Sequence, residues 1–481
     1  MVIASELNFS NYYWNDDGIF LVFWLDKYKL IYQILIEMID TFPTNERNEL
    51  YPYIFIVGMG QLSVLIKKYN PEQVIISCNV LSEIDLLFWR LTYEKGLAEF
   101  FYKNKLEHRV NLINRPTTER EIYPITISKL KLKNEAVLPN GGGKDSCVSC
   151  EILKKCDIKF TWATLGATSY RKKVIGASNN PDHINISVRG NSNVPNTYKT
   201  YKGHFPYTLY TSAFMVLLSG LIRNKYIVYS NEKSSNYPNH EHYDKNGKCI
   251  MINHQYTKSF EFEKGFHQLL KRTVNNDIEY FSILKPLYEI QISRIFSHFP
   301  QYHNAFVSCN RGRWCGRCSK CAFIFMSLYP YMDENKLTNI MGNNMLMDKD
   351  ILESYLELTG NKKHKPFECV GTIEENNIAM KKCIEKSRDL HVLKYFNDNI
   401  ILKEENEHNY LQNYDEQNLI PTNLKNNIKT TIFSFLNKKH FAESGNLTNE
   451  PYNDLILYGL LVVIIIILCI VFYNYHFKLK N

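Results

Sequence analysis

The residues Pro139-Asn140-Gly141-Gly142-Gly143-Lys144-Asp145-Ser146 stand between a run with strand character, AVLPN, and one with helical character, CVSCEILKKC. Three adjacent glycines let the backbone approach an anion closely, and their N–H groups can line a concave nest. The start of the following helix adds partial positive charge, so the segment predicts a phosphate cradle. A tight turn without a ligand is the alternative. Lys144 and the Ser146 hydroxyl can complete such a cradle, while Asp145 cannot favour bare phosphate and is expected to hold Mg²⁺ against a triphosphate. Asn140 through Ser146 are therefore candidate nucleotide-binding residues. The order fits neither GK[ST] after a four-residue spacer nor GxGxxG followed by a ribose-binding acid.

A second group that could do chemistry is Cys309-x5-Cys315-x2-Cys318-x2-Cys321. Four thiolates this close meet the tetrahedral demand of a structural zinc ion. An iron–sulfur cluster and free thiols remain the alternatives.

Elements must position these residues. The chain has 481 residues, 45% of them hydrophobic, too long for one small core and too apolar for general disorder. Its formal charge of +8 suits a phosphate-rich ligand or an anionic leaflet, and its lysines are scattered, which argues against a nucleic-acid stripe. Residues 1–130 mix strand-like runs (Gly18 to Leu25, leading into an amphipathic helix, then Tyr53 to Met59 and Gln73 to Cys78) with a helical stretch from Ser82 to Lys105. They predict an N-terminal α/β domain. Residues 131–390 alternate strand and helix patterns, as a parallel sheet with crossover helices does, and carry the cysteine cluster at 309–321. Residues 391–452 read as a polar, Asn-rich, loosely ordered linker. Within 453–475, Leu455 to Tyr473 is apolar throughout, the length of a membrane-crossing helix, with Lys478 and Lys480 beyond it. This predicts a tail anchor that leaves the catalytic region in the cytosol. The twelve cysteines, in a long chain whose N-terminus does not read as a secretory signal, are expected to be reduced.

The glycine loop resembles the SGGxDS loop of the PP-loop ATP pyrophosphatases, with Gly141 where that superfamily usually has Ser. The cysteine spacing is similar to that of the deazaguanine nitrile synthases, themselves PP-loop enzymes with a zinc cluster. Several stretches together resemble the ATP-dependent epimerases acting on UDP-N-acetylmuramoyl-L-alanyl-L-glutamate. They are PNGGGKDS (139–146), GHFPY (203–207), SNEKSSN (230–236), NHQYTKSFEFEK (253–264), YFSILKPLYEIQI (280–292), the cysteine cluster, and KPFECVGTIEE (365–375). Ser319 stands where this pattern leads one to expect Pro. The resemblance implies an α/β fold built on a PP-loop (adenine nucleotide alpha hydrolase-like) parallel sheet with flanking helices. It also implies ATP with Mg²⁺, and adenylation of a terminal glutamate carboxylate of a UDP-linked substrate, with release of pyrophosphate.

Adenylation explains an ATP requirement. A free carboxylate opposes carbanion formation beside it, whereas an acyl-adenylate lets the charge delocalise as an enolate and makes the α-proton removable by a side-chain base. Candidates for that work are His254, Lys258, Glu261, Lys320 and Cys369. Each has a plainer reading: His254 caps a turn, Lys258 neutralises phosphate, Glu261 holds Mg²⁺, Cys369 packs as a small apolar residue. Glu232 is expected to serve metal or ribose, or merely the surface. Arg189, His204, Lys258, Arg311 and Arg313 are the cations available to a diphosphate and carboxylates. Two other outcomes stay open: capture of the adenylate by ammonia or sulfur, as in nitrile synthases and tRNA-thiolating enzymes, and a membrane-tethered module that binds nucleotide and zinc without catalysis.

Overall fold

The computed structural model describes residues 1–37, 39–117, 126–245, 247–362 and 365–438. Its strands are β1 (Glu6–Asn15), β2 (Gly18–Leu25), β3 (Tyr28–Ile36), β4 (Gln73–Ile76), β5 (Leu112–Asn114), β6 (Lys133–Pro139), β7 (Phe160–Leu165), β8 (His183–Ser192), β9 (Asn224–Tyr229), β10 (His240–Tyr243), β11 (Cys249–Ile252) and β12 (Glu279–Ser282). Ten form one sheet in the order β12-β9-β6-β7-β8-β3-β2-β1-β4-β5, and β10 and β11 pair as a separate hairpin. From β12 to β8 every neighbouring pair is parallel. The sheet then crosses three antiparallel pairs, β8 with β3, β3 with β2 and β2 with β1. An odd number of reversals leaves β1, β4 and β5, parallel to one another, running opposite to the first five strands.

The helices that flank this sheet and shape its site are α1 (Tyr51–Tyr69), α2 (Glu83–Gly96), α3 (Ala98–Asn104), α4 (Lys144–Lys155), α5 (Ser169–Ala177), α6 (Tyr207–Ile222), α7 (Phe260–Thr273), α8 (Glu289–Ser297) and α9 (Ser319–Leu328). Strand side chains alternate between faces, and both faces of the parallel half are covered. Ala136, Leu138, Tyr226 and Val228 pack into the core that includes α4, α8 and α9. Val137, Ile227 and Tyr229 pack on the other side, among residues of α1, α6 and α7. This is the α/β architecture with a large parallel sheet and flanking helices expected from the strand and helix rhythm.

Several expectations change. The boundary at residue 130 does not separate two bodies: the ten-stranded sheet takes strands from both sides of it, and residues 1–437 form one unit. Tyr53 to Met59, expected as a strand, lies inside α1, which is apolar nearly all round because it is buried between the sheet and α6. Gly58 permits that approach, since a Cβ there would sit 2.0 Å from the Phe9 ring. The amphipathic helix expected after Gly18 to Leu25 is instead β3, joined to β2 by a turn with Asp26 at φ 52°. The linker reading of 391–452 fails for its first part. Helices His391–Asn399, Glu407–Leu411 and Thr422–Leu436 follow one another there, and Ile428, Ile432, Phe435 and Leu436, spaced as one helical face, are buried in the core. The apolar run Leu455 to Tyr473 lies outside the described residues. Among the described residues, one helical stretch, 44–69, is long and apolar enough to span a bilayer, and it is the buried core helix just described.

Candidate active site

Five parallel strands end at one edge of the sheet, and the residues that follow them surround a cavity of about 690 Å³. Its lining includes Asn140, Gly141, Gly143, Asp145 and Ser146 after β6, Leu165 at the end of β7 and Arg171 beyond it, and Ser230 and Asn231 after β9. Carboxyl ends of parallel strands are where α/β folds generally bind ligands, because the chain there turns from strand to helix and leaves backbone N–H groups unpaired.

The glycine loop forms the turn that joins β6 to α4. Gly142 has φ 77°, and a Cβ on it would lie 2.3 Å from the Tyr170 ring, so only glycine fits. Its N–H donates to Asn140 Oδ1 at 2.8 Å, and Asn140 Nδ2 donates to the Arg171 carbonyl at 3.0 Å. A Cβ on Gly141 would meet nothing within 4 Å, so a serine could occupy this position. Gly143 is the N-cap of α4, and the Ser146 hydroxyl donates back to its carbonyl.

Beneath the loop lies a layer of buried charge. Lys144 is fully buried, its ammonium pairing with Asp145 at 2.5 Å and with Glu289 at the start of α8. Burial opposes its charge, but these two carboxylates hold its pKa above the ordinary lysine value. Burial likewise works against Asp145, yet Lys144, Lys320 and Lys258 keep it below the usual carboxylate range. Glu289 goes the other way: burial, only partly offset by Lys144 and reinforced by Asp145 and Glu232, raises it to about 7. Glu232 is fully buried with neither carboxylate oxygen hydrogen-bonded, and Glu289 Oε1 is equally unsatisfied. Lys258 Nζ lies 3.9 Å from Glu232 and 3.5 Å from the Cys369 thiol, to which it donates. Burial disfavours the Lys258 ammonium, but Cys369, Glu232, Asp145 and Glu289 around it push its pKa up. The Cys369 thiol is raised by burial and drawn down by Lys258 and Lys320. Lys320, on α9, also donates to the Cys369 carbonyl.

The structure thus brings together Asp145, Lys258, Lys320, Cys369 and, at the cavity wall, His254. Glu232 is beneath the site and not on the surface. Lys144 turns away from the cavity into the buried layer, so it does not complete a phosphate cradle as expected. Glu261 lies elsewhere, 62% exposed and paired with Lys95 at 2.5 Å; the buried acid of that helix is Glu263. Of the proposed cations, His204 and Lys258 line the cavity, whereas Arg189, Arg311 and Arg313 are exposed and do not. His254 is held by Glu99 of α3 through Nδ1, and its ring lies 4.1 Å from that of His204, centroid to centroid. Burial and then His254 depress His204 to about 3, so it is neutral. Glu289, Lys285, whose buried ammonium donates to the Glu232 and Lys258 carbonyls, and Glu99 were not singled out from sequence. The first two sit in YFSILKPLYEIQI without a motif of their own, and Glu99 reads as an ordinary helical acid.

The four cysteines come together beside α9. Cys309 Sγ lies 4.0 Å from Cys318 Sγ, Cys315 Sγ lies 3.7 Å from Cys321 Sγ, and all four sulfurs are within 4.8 Å of one another. A tetrahedron with metal–sulfur bonds of about 2.3 Å places its sulfurs roughly 3.8 Å apart, so the spacing fits one shared ion. An iron–sulfur cluster divides its four cysteines among two or more irons and so spreads the sulfurs further.

Residues 41–283 match the MurL N-terminal domain and residues 302–410 match the MurL C-terminal domain, which together take in most of the chain. The chain belongs to the MurL family. The boundary between the MurL halves falls between β12 and α9, so the N-terminal half supplies the glycine loop and Lys258, and the C-terminal half the cysteines, Lys320 and Cys369. This MurL chain is 34% identical over 307 residues to the UDP-N-acetyl-alpha-D-muramoyl-L-alanyl-L-glutamate epimerase of Xanthomonas oryzae pv. oryzae, covering 60% of the chain and 64% of that protein. The epimerases of the same name from a Micromonospora species and from Salinispora tropica are 31% and 32% identical, over 62% and 61% of the chain and 67% and 65% of their own lengths. The chain therefore spans about two thirds of the curated relatives it matches.

Proposed function

We propose that this MurL-family protein epimerises the glutamyl α-carbon of UDP-N-acetylmuramoyl-L-alanyl-L-glutamate, using ATP to activate the adjacent carboxylate. The observation that carries the reading is the convergence of the glycine loop with Asp145, Lys258, Lys320 and Cys369 around one cavity. The relatives' printed substrate supports the choice of glutamyl ligand.

In this reading the glutamyl carboxylate attacks the α-phosphorus of ATP and pyrophosphate leaves, with the N–H groups at the start of α4 facing the phosphates. Mg²⁺, for which Asp145 at the cavity and the unsatisfied oxygens of Glu232 and Glu289 beneath it offer the donor chemistry, would neutralise the leaving phosphates. Cys369, whose thiol is raised by burial but drawn down by Lys258 and Lys320, takes the proton from Cα as the thiolate, and the electron pair moves onto the acyl oxygen as an enolate. A proton returned to the opposite face inverts the centre. Water then cleaves the acyl-adenylate to AMP and the free carboxylate. Cys309, Cys315, Cys318 and Cys321 would hold structural Zn²⁺, which would tie the Val307–Asn310 segment of the cavity wall to α9. The apolar tail Leu455 to Tyr473 remains a proposed membrane anchor on its composition, and resistance of the full chain to carbonate extraction tests it.

The test of the function measures pyrophosphate release with ATP, Mg²⁺ and the muramoyl dipeptide, the configuration of the recovered glutamate, and deuterium uptake at Cα from D₂O. The expected result is release coupled to inversion and to deuterium at Cα, with release lost in Asp145→Ala. Release without deuterium or inversion overturns the epimerase, and ammonia-dependent turnover reassigns the adenylate to a ligase.

A further inference from the structure

Glu99, His204 and His254 are brought together from α3, the loop before α6 and the loop after β11, far apart in the chain. Their ligand atoms lie within 4.8 Å of one another. The Glu99 and His254 side chains are only 4% and 15% exposed. Both histidines face the cavity. None of this is needed to pack the fold: no helical or strand periodicity puts a buried carboxylate and two imidazoles at one point.

We propose that Glu99, His204 and His254 form a binding site for a borderline divalent transition ion such as Zn²⁺, set in the cavity wall and separate from both Asp145 and the cysteine cluster. Two imidazoles with one carboxylate is the donor set of zinc sites that keep a coordination position open, and imidazole selects zinc-like ions over magnesium. The open position faces the cavity, where a phosphate or carboxylate oxygen of a bound substrate can take it. Glu99 Oε2 and His254 Nδ1 are hydrogen-bonded, and an ion bound by both would replace the proton between them. Glu99 Oε1 receives the Lys103 ammonium at 2.5 Å, a fixed charge that opposes a second cation. The site does not depend on the epimerase reading, since it is defined by metal binding alone.

The test strips the full chain with a chelator, dialyses it against Zn²⁺ and measures bound zinc by mass spectrometry. His204→Ala and Glu99→Gln are expected to lose about one equivalent relative to the wild type, while Cys318→Ser keeps that histidine-dependent equivalent. Wild-type zinc content in both His204→Ala and Glu99→Gln overturns the site and leaves Glu99 and His254 as a hydrogen-bonded pair only. Should those variants not fold, Lys103→Met provides the independent reading: removing the opposing ammonium should tighten zinc binding several-fold, and unchanged or weaker binding overturns the proposal.

Discussion

In the half of the sheet formed by β12, β9, β6, β7 and β8, all strands point one way, so the residues beyond their carboxyl ends collect at a single edge. That edge carries the glycine loop, Ser230 to Glu232, and Lys285 beyond β12. In the other half, β3, β2 and β1 are joined by tight turns, and the direction reverses at each pairing. The carboxyl ends of β1, β4 and β5 therefore lie at the far edge. That half buries aromatic side chains such as Phe9, Phe23 and Phe55, which stack with ring centroids 4.8 and 5.8 Å apart. It touches the site through α3, whose Glu99 holds the cavity-lining His254. Parallel strands gather chemistry at one end, and antiparallel ones distribute it.

Removing charge from the parallel half has the largest expected effect. Lys144→Met leaves Asp145 and Glu289 without their buried partner, and urea denaturation should show a loss of about 3–5 kcal/mol. A loss below about 1 kcal/mol would mean that the buried layer is not held by this lysine.

Next in size is the effect on turnover. Cys369→Ser should slow inversion by about 10²-fold or more while Tm stays close to wild type, because the side chain keeps its volume and loses its acidity. Equal loss of inversion and stability would make Cys369 a packing residue.

A pH dependence sharpens the same contrast. Glu289, with an ordinary value of 4.5, is raised to about 7 in the fold, so between these values the folded state holds more protons than the unfolded one. Its contribution is complete below about pH 4.5 and is lost as pH rises through about 7. Glu289→Gln should flatten that part of the stability profile, and an unchanged slope would reassign it to another group.

Smaller effects separate the loop from the surface. Gly142→Ala meets both a positive φ and the Tyr170 ring and should cost more than about 1 kcal/mol, whereas Gly141→Ser should stay within about 0.5 kcal/mol. Glu261→Ala removes an exposed pair and should change stability by less than about 1 kcal/mol with turnover intact. Thermal melts of the three variants check the order.

Legibility followed the range of the interactions. The glycine loop and the cysteine cluster are readable because each packs its donors into a few nearby residues, and β6, α4 and the strand and helix alternation after them are readable because apolar spacing sets local conformation. Tyr53 to Met59 was misread as a strand because a short apolar run has the same pattern in a buried helix and a buried strand, and only length and neighbours decide. The region after residue 391 looked like a linker because its few apolar residues are diluted among asparagines, although Ile428, Ile432, Phe435 and Leu436 share a face.

The α/β class, the glycine-rich turn between a strand and a helix, the clustered thiols and the family are all carried by the sequence alone. Only the tertiary structure decided that Lys144 turns inward to Glu289, that Glu232 is buried, that Glu261 is not at the site, and that Glu99 meets His204 and His254. A side chain's partner across 100 or more residues depends on strand order and helix direction, and neither is encoded in the spacing of any one segment.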